Sequence, residues 1–279
     1  MNMHKDLVHN HLIEITKSFF GEIDPTYDPK TDNIPQAIYR AHEIPIADFL
    51  MSHKESLIND FLKGHSSLEE AVNAKCHPVL QKREDRKPYF DQAEYNEQIT
   101  RFPDESTEFI RTLYGDESIP NPMGWKNLEF KYHCPFENIH WDMDKEHAKT
   151  NYPTAYSLIE KFGDDCPIAS YSYMAPNTTL HRHTGPENRL GEYIRLHIPL
   201  IIPAGDVFFE CNGEEVTWDN VFGFDNQLAH SAHNLSNGHR LIFLIDFRRS
   251  RIGMPPGQEY NMHRQLYSVA TPFVRRSKK

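Results

Sequence analysis

Between residues 168 and 247 the chain carries five short apolar or alternating runs, IASYSYMAP, YIRLHIPLIIP, DVFFECNGEEVTW, VFGFD and LIFLIDF, each closed off by turn residues. Runs of this length and spacing, with no helical period between them, predict a sandwich or jelly roll rather than a parallel sheet with crossover helices. Asn212-Gly213 divides the third run into two strand-like arms, and Asn-Gly is a strong hairpin signal because both residues reach φ > 0 at little cost. The texture changes to this pattern at about residue 125. The expected class is therefore mainly β with flanking helices.

The chain before that point reads differently. Val8, Leu12, Ile15 and Phe19 recur at helical spacing ahead of Gly21, and Leu57, Ile58, Phe61 and Leu62 do the same ahead of Gly64. Ser67 with Glu70 three residues later has the form of a capping box and predicts a third helix. DPTYDPKTDNIP is a polar connector, and residues 77–105 are charged and weakly patterned. This divides the chain into a helical N-terminal region, 1–119, packed on a β core, 120–251, with a basic extension, 252–279.

Charge limits the classes of partner. The formal charge of -10 argues against nucleic acid, which needs a basic surface. Arg248 to Lys279 holds eight Lys/Arg and one Glu, a net +7, so residues 1–247 carry -17. The basic tail either offsets the acidic body or docks an acidic carrier protein. Cys76, Cys134, Cys166 and Cys211 are widely spaced with no CxxC pair, which fits neither a zinc knuckle nor a disulfide framework and suits thiols in a reducing cytoplasm. The charged start of the chain predicts no signal peptide and no membrane span.

Two features carry chemistry. In YIRLHIPLI, alternation puts Tyr193, Arg195 and His197 on one face and Ile194, Leu196 and Ile198 on the other. Arg240 opens another strongly apolar run. If both strands line a jelly-roll interior, two guanidiniums and an imidazole enter one pocket suited to a small dianion, each charge-assisted bond contributing about 1.5–3 kcal/mol. His183, in HTGPEN, and His230, ending FDNQLAH, are the candidate metal ligands. Two histidines with one carboxylate form the facial triad of non-haem iron oxygenases, but the position two residues after His183 is Gly185, and among 17 histidines a pair is a weak signal by spacing alone.

SYMAPNTTLHRHTGPENR, RLHIPL, FDNQLAH and RLIFLIDF, in that order over residues 120–250, resemble the aspartyl/asparaginyl β-hydroxylase family of iron(II)- and 2-oxoglutarate-dependent oxygenases. The resemblance implies a double-stranded β-helix, a cupin-like jelly roll, and a site in which iron is held by His183 and His230 with glycine in place of the carboxylate. It implies that Ser172 and Arg240 bind 2-oxoglutarate, Arg240 at its far carboxylate. Arg195 and His197 match the family's Arg-x-His strand, and Trp125 matches a tryptophan of the co-substrate pocket. The implied catalytic set is His183, His230 and Arg195. The implied reaction uses O2, releases succinate and carbon dioxide, and hydroxylates an unactivated C–H of an amino-acid-like substrate, free, peptidyl or carrier-bound.

Two other readings stand beside this one. A halide in the vacant iron position would make a radical halogenase, and a jelly roll with a structural or sensory metal would make a non-catalytic binding protein. Bland roles are expected for His233 and His239 as loop residues, for Asp225 as a hydrogen-bonding group and for Asp246 as the partner of an arginine. His181, two before His183, would share its face on an extended strand.

Overall fold

The computed structural model describes residues 36–78, 124–134, 139–183, 191–226, 228 and 230–257. The expected helix over Val8–Phe19, the polar connector, nearly all of 77–105 and the tail beyond Gly257 lie outside these residues, as does the HTGPEN loop after His183.

Among the described residues, twelve strands form two antiparallel sheets. In chain order they are β1 (Ile38–Arg40), β2 (His77–Pro78), β3 (Trp125–Cys134), β4 (Ile139–Asp142), β5 (Ile168–Met174) and β6 (Thr178–His183). They continue as β7 (Tyr193–Ile201), β8 (Val207–Cys211), β9 (Glu214–Thr217), β10 (Phe222–Phe224), β11 (His230–Asn234) and β12 (Arg240–Arg248). The major sheet runs β1-β10-β7-β12-β5-β3-β2 with β4 on β3, and the minor sheet runs β6-β11-β8-β9. From β5 onward the chain alternates between the two sheets, except at the β8–β9 hairpin, which lies wholly in the minor sheet; this is the winding of a double-stranded β-helix. Within the minor sheet, Asn212 (φ 51°) and Gly213 (φ 88°) make the expected tight hairpin between β8 and β9.

Helices cover one face of the major sheet. They are α1 (Ala47–Met51), α2 (Lys54–Leu62), α3 (Leu68–Lys75), α4 (Lys145–Asn151) and α5 (Pro153–Phe162). The Leu57–Leu62 periodicity is the buried stripe of α2, whose Leu57 and Phe61 are fully buried. Ser67 Oγ accepts from Glu70 N at 3.1 Å as a cap should, but Glu70 closes on the backbone and hydroxyl of Ser66 rather than of Ser67. Helices α4 and α5, between β4 and β5, break the strand texture and were not read from periodicity. The Asp60 carboxylate of α2 accepts from Thr154 N at 2.7 Å, satisfying an otherwise orphaned donor at the start of α5. Tyr171 of β5 reaches into the helical layer and donates to the Leu57 carbonyl at 2.8 Å.

The sheet therefore separates two apolar cores. Leu241, Phe243, Ile245 and Phe247 of β12, with Ile194, Leu196 and Ile198 of β7, face the helices. Ile242 of β12, Met174, Phe222 and Phe224 face the minor sheet, where they meet Phe209, Cys211 and Trp218. Cys76, Cys166 and Cys211 are buried, and burial pushes the Cys76 thiol up to about 12, so Cys76 is a packing group rather than a nucleophile. No helix among the described residues is long and apolar enough to cross a membrane.

Candidate active site

The inner face of the barrel holds the candidate residues, and strand register explains how each arrives there. His230 opens β11 opposite His183, the last residue of β6, and opposite Cys211 of β8. Directly opposed residues of antiparallel strands share a face, and Cys211 belongs to the inner core, so His230 is on the interior face of the minor sheet. The next rung pairs Leu180 with Ala232, which sets two residues, His181 and Arg182, against the single Ser231. This bulge breaks strict alternation. It sets His183, rather than Arg182, opposite His230 along the backbone, while the expected shared face of His181 and His183 concerns side chains outside the described ones.

His230 is buried, and its Nδ1 donates to the Leu228 carbonyl at 2.6 Å. A carbonyl only accepts, so the ring proton sits on Nδ1 and Nε2 is the nitrogen whose lone pair could ligate a metal. The Leu228 amide in turn donates to the Asp225 carbonyl at 2.9 Å, which folds the turn leading into His230.

Ser172, Trp125, Arg240 and His197 form one cluster. Trp125 Nε1 donates to Ser172 Oγ at 3.0 Å, and Arg240 Nη2 approaches the same oxygen at 3.5 Å. The Arg240 guanidinium lies 4.8 Å over the Trp218 ring and is 2% exposed, and its Nε meets no hydrogen-bond acceptor among the described residues. Burial pushes this guanidinium down to about 9, so it is still a cation at neutral pH. Trp218 Nε1 donates to His197 Nδ1 at 3.3 Å, which leaves the His197 proton on Nε2. Burial first, then the charges of Arg240 and Arg195, hold His197 well below the usual histidine range, so it is neutral. Phe224 links the two groups of residues, its ring 5.0 Å from His230 and 5.1 Å from His197.

Arg195 is placed differently from the rest. Its Nε and Nη2 donate to the two carboxylate oxygens of Asp246 at 2.7 and 2.9 Å, across adjoining strands. Asp246 is thus an arginine's partner, and the guanidinium is oriented by that carboxylate. His233 belongs to β11, not to a loop, and lies between Thr179 Oγ1 and Ser231 Oγ. His239 does precede its strand and contacts the Tyr173 hydroxyl at 2.6 Å. Trp218, Phe209, Phe222 and Phe224, which enclose His197, were not singled out from sequence. Parity with Val216 along the hairpin arm was the signal that could have marked Trp218 as inward.

A double-stranded β-helix with His230 on one inner wall and the buried Arg240 on the other defines a protein of the jelly-roll class. The chain belongs to the aspartyl/asparaginyl beta-hydroxylase family, whose model matches residues 74–250. The aspartyl/asparaginyl beta-hydroxylases of Mus musculus and Homo sapiens are each 33% identical to it over 107 residues, 36% of this chain. That match spans 14% of the length of either relative. Among solved structures, a prolyl-4-hydroxylase of Pseudomonas putida is similar over 77% of this chain and 94% of its own, at 10% identity and a TM-score of 0.36. HygX from Streptomyces hygroscopicus, solved with nickel, 2-oxoglutarate and hygromycin B, is similar over 57% of this chain and 79% of its own, at 13% identity and a TM-score of 0.29.

Proposed function

We propose that the protein is an iron(II)- and 2-oxoglutarate-dependent hydroxylase. The observation that carries this reading is the Arg240 guanidinium, buried in the barrel with Nε unmatched among the described residues. A buried arginine without a carboxylate is costly unless a ligand supplies one. The donors around it suit a carboxylate: Arg240 itself, the neutral His197 with its proton on Nε2, and the Ser172 hydroxyl. That hydroxyl accepts from Trp125 and Arg240, which turns its own hydrogen toward a ligand oxygen.

The donor set also suits the metal. His183 and His230 share a rung, and the Leu228 carbonyl selects the His230 tautomer that presents Nε2. Two neutral imidazoles leave room for a chelating keto acid. Iron(II), when bound there with 2-oxoglutarate, supplies the activation of O2, the decarboxylation that yields succinate and carbon dioxide, and removal of hydrogen from an unactivated C–H. The protein's part is to hold and to exclude. Arg240 and Ser172 fix the far carboxylate of the co-substrate, Phe209 and Phe224 keep water from the space between Arg240 and His230, and Asp246 holds Arg195 in orientation at the barrel's inner wall.

The prime substrate is an aliphatic C–H of an amino-acid-like molecule, free, peptidyl or presented by an acidic carrier. The family's name, with its aspartyl and asparaginyl substrates, supports that class. Anaerobic titration of the metal-stripped protein with iron(II) and 2-oxoglutarate tests the reading. A visible charge-transfer band is expected in the wild type and absent in His183→Ala. A folded, iron-loaded wild type without the band would remove 2-oxoglutarate from the mechanism.

A further inference from the structure

On the far side of the major sheet from the barrel interior, the β3–β4 hairpin gathers a second set of metal-ligating side chains. A bulge between Glu129 and Lys131 reverses the alternation of β3. Tyr132 consequently joins Ile168 and Leu244 on the inner face. Lys131 and His133 follow the helix-bearing face, where Lys131 Nζ donates to the Gly163 carbonyl at 3.0 Å. His133 lies opposite His140, and Asp142, two residues further along β4, shares that face.

The three side chains converge. His133 Nε2 is 3.1 Å from each oxygen of Asp142, and His140 Nε2 is 3.3 Å from Oδ2. The two imidazoles stack with centroids 3.5 Å apart and planes inclined at 25°. All three ligand atoms lie within 4.8 Å of one another. In tetrahedral zinc sites, metal–nitrogen and metal–oxygen bonds of about 2.0–2.1 Å set neighbouring ligand atoms about 3.3 Å apart. The two imidazole–carboxylate distances already match such an edge, and the third pair of ligand atoms lies within 4.8 Å. The fourth corner of this cross-strand rectangle is Lys131, whose ammonium is turned toward Gly163 and lies 3.7 Å from Asp164, so its charge is directed away from Asp142.

We propose that His133, His140 and Asp142 form a second metal site, taking a zinc-class divalent ion with water completing the coordination. The ion replaces the imidazole–carboxylate hydrogen bonds: each ring presents an Nε2 lone pair, and its proton resides on Nδ1 or is released to solvent. Its ligands come from β3 and β4 alone, so it shares none with His183 and His230. Bound there, the ion clamps β4 to the end of β3 at the margin of the sheet. The site does not depend on the function proposed above.

Equilibrium dialysis of the metal-stripped full-length protein against zinc(II) tests it, with His140→Ala, Asp142→Asn and His183→Ala in parallel. The His140 side chain is 73% exposed, so its removal leaves the fold intact. His140→Ala is expected to bind one equivalent fewer than wild type, and Asp142→Asn to weaken that equivalent by at least roughly tenfold. His183→Ala is expected to retain the hairpin ion. If the barrel site takes no zinc, wild type binds one equivalent and His140→Ala none, and the proposal still stands. Equal binding by wild type and His140→Ala, or no binding by wild type, overturns it.

Discussion

Arg240 brings a full charge into a part of the barrel where no described carboxylate answers it, so it works against the empty protein. Removing it should separate stability from function. Arg240→Met is expected to raise unfolding free energy in the absence of 2-oxoglutarate by about 1 kcal/mol or more, because a buried charge is replaced by an apolar chain of similar length. The same change is expected to raise the 2-oxoglutarate requirement by about 10- to 150-fold, the equivalent of losing roughly 1.5–3 kcal/mol of charge-assisted bonding. Urea unfolding and succinate release read the two effects. His197 sets a pH dependence of its own. Its folded value is well below the usual 6.5 through burial and then the two arginines, so below about pH 6.5 the unfolded chain takes up a proton that the native ring refuses. Stability therefore falls with pH in that window. Between pH 7.5 and 5.5 the wild type should lose about 1.4 kcal/mol more than His197→Gln.

Single elements aim these residues, and Gly223 in β10 shows how tightly. A Cβ there would come within 2.6 Å of Leu196 Cδ2 and 2.7 Å of Ile194 Cδ1, on the side of the sheet away from the pocket. Its neighbours Phe222 and Phe224 face inward around His197. Gly223→Ala is expected to cost about 1–3 kcal/mol by overpacking and, by lifting β10, to weaken 2-oxoglutarate binding at a position that never touches it. Urea denaturation and co-substrate titration of this one variant check both. Strand-level features were the readable part of this sequence. The β8–β9 hairpin announced itself through Asn212-Gly213, and Arg195 and His197 share a face because β7 is regular over Tyr193–Pro199 and is bulged only beyond it. Where a strand is bulged, parity misleads: one extra residue in β6 places His183, not Arg182, opposite His230. Helix α4, with seven residues, carries too few turns to show a period, whereas α5, one residue longer than α2, carried a readable one in Ala155, Leu158, Ile159 and Phe162. The Asp246 contact was foreseeable only as a charge needing a partner, since register is decided by folding and not by local sequence.

At the scale of the whole molecule, the Arg195–Asp246 pair ties two strands in the middle of the major sheet, with Asp246 fully buried and Arg195 nearly so. Truncating one member strands the other charge. Asp246→Ala is expected to destabilise the entire domain by about 3–5 kcal/mol, while replacing both members with apolar residues recovers most of the loss; chemical denaturation of the single and double variants decides it. The sheet holding this pair has an apolar core on each side, one made with the helices and one with the minor sheet. Along β12, Leu241, Phe243 and Ile245 belong to the first, while Arg240 and Ile242 look into the barrel. Neighbouring positions on one strand thus answer to separate demands. Drift at the helix-facing positions changes how firmly the protein holds together, and drift one residue along changes what it can hold, so a lineage can retune its cargo without rebuilding its frame.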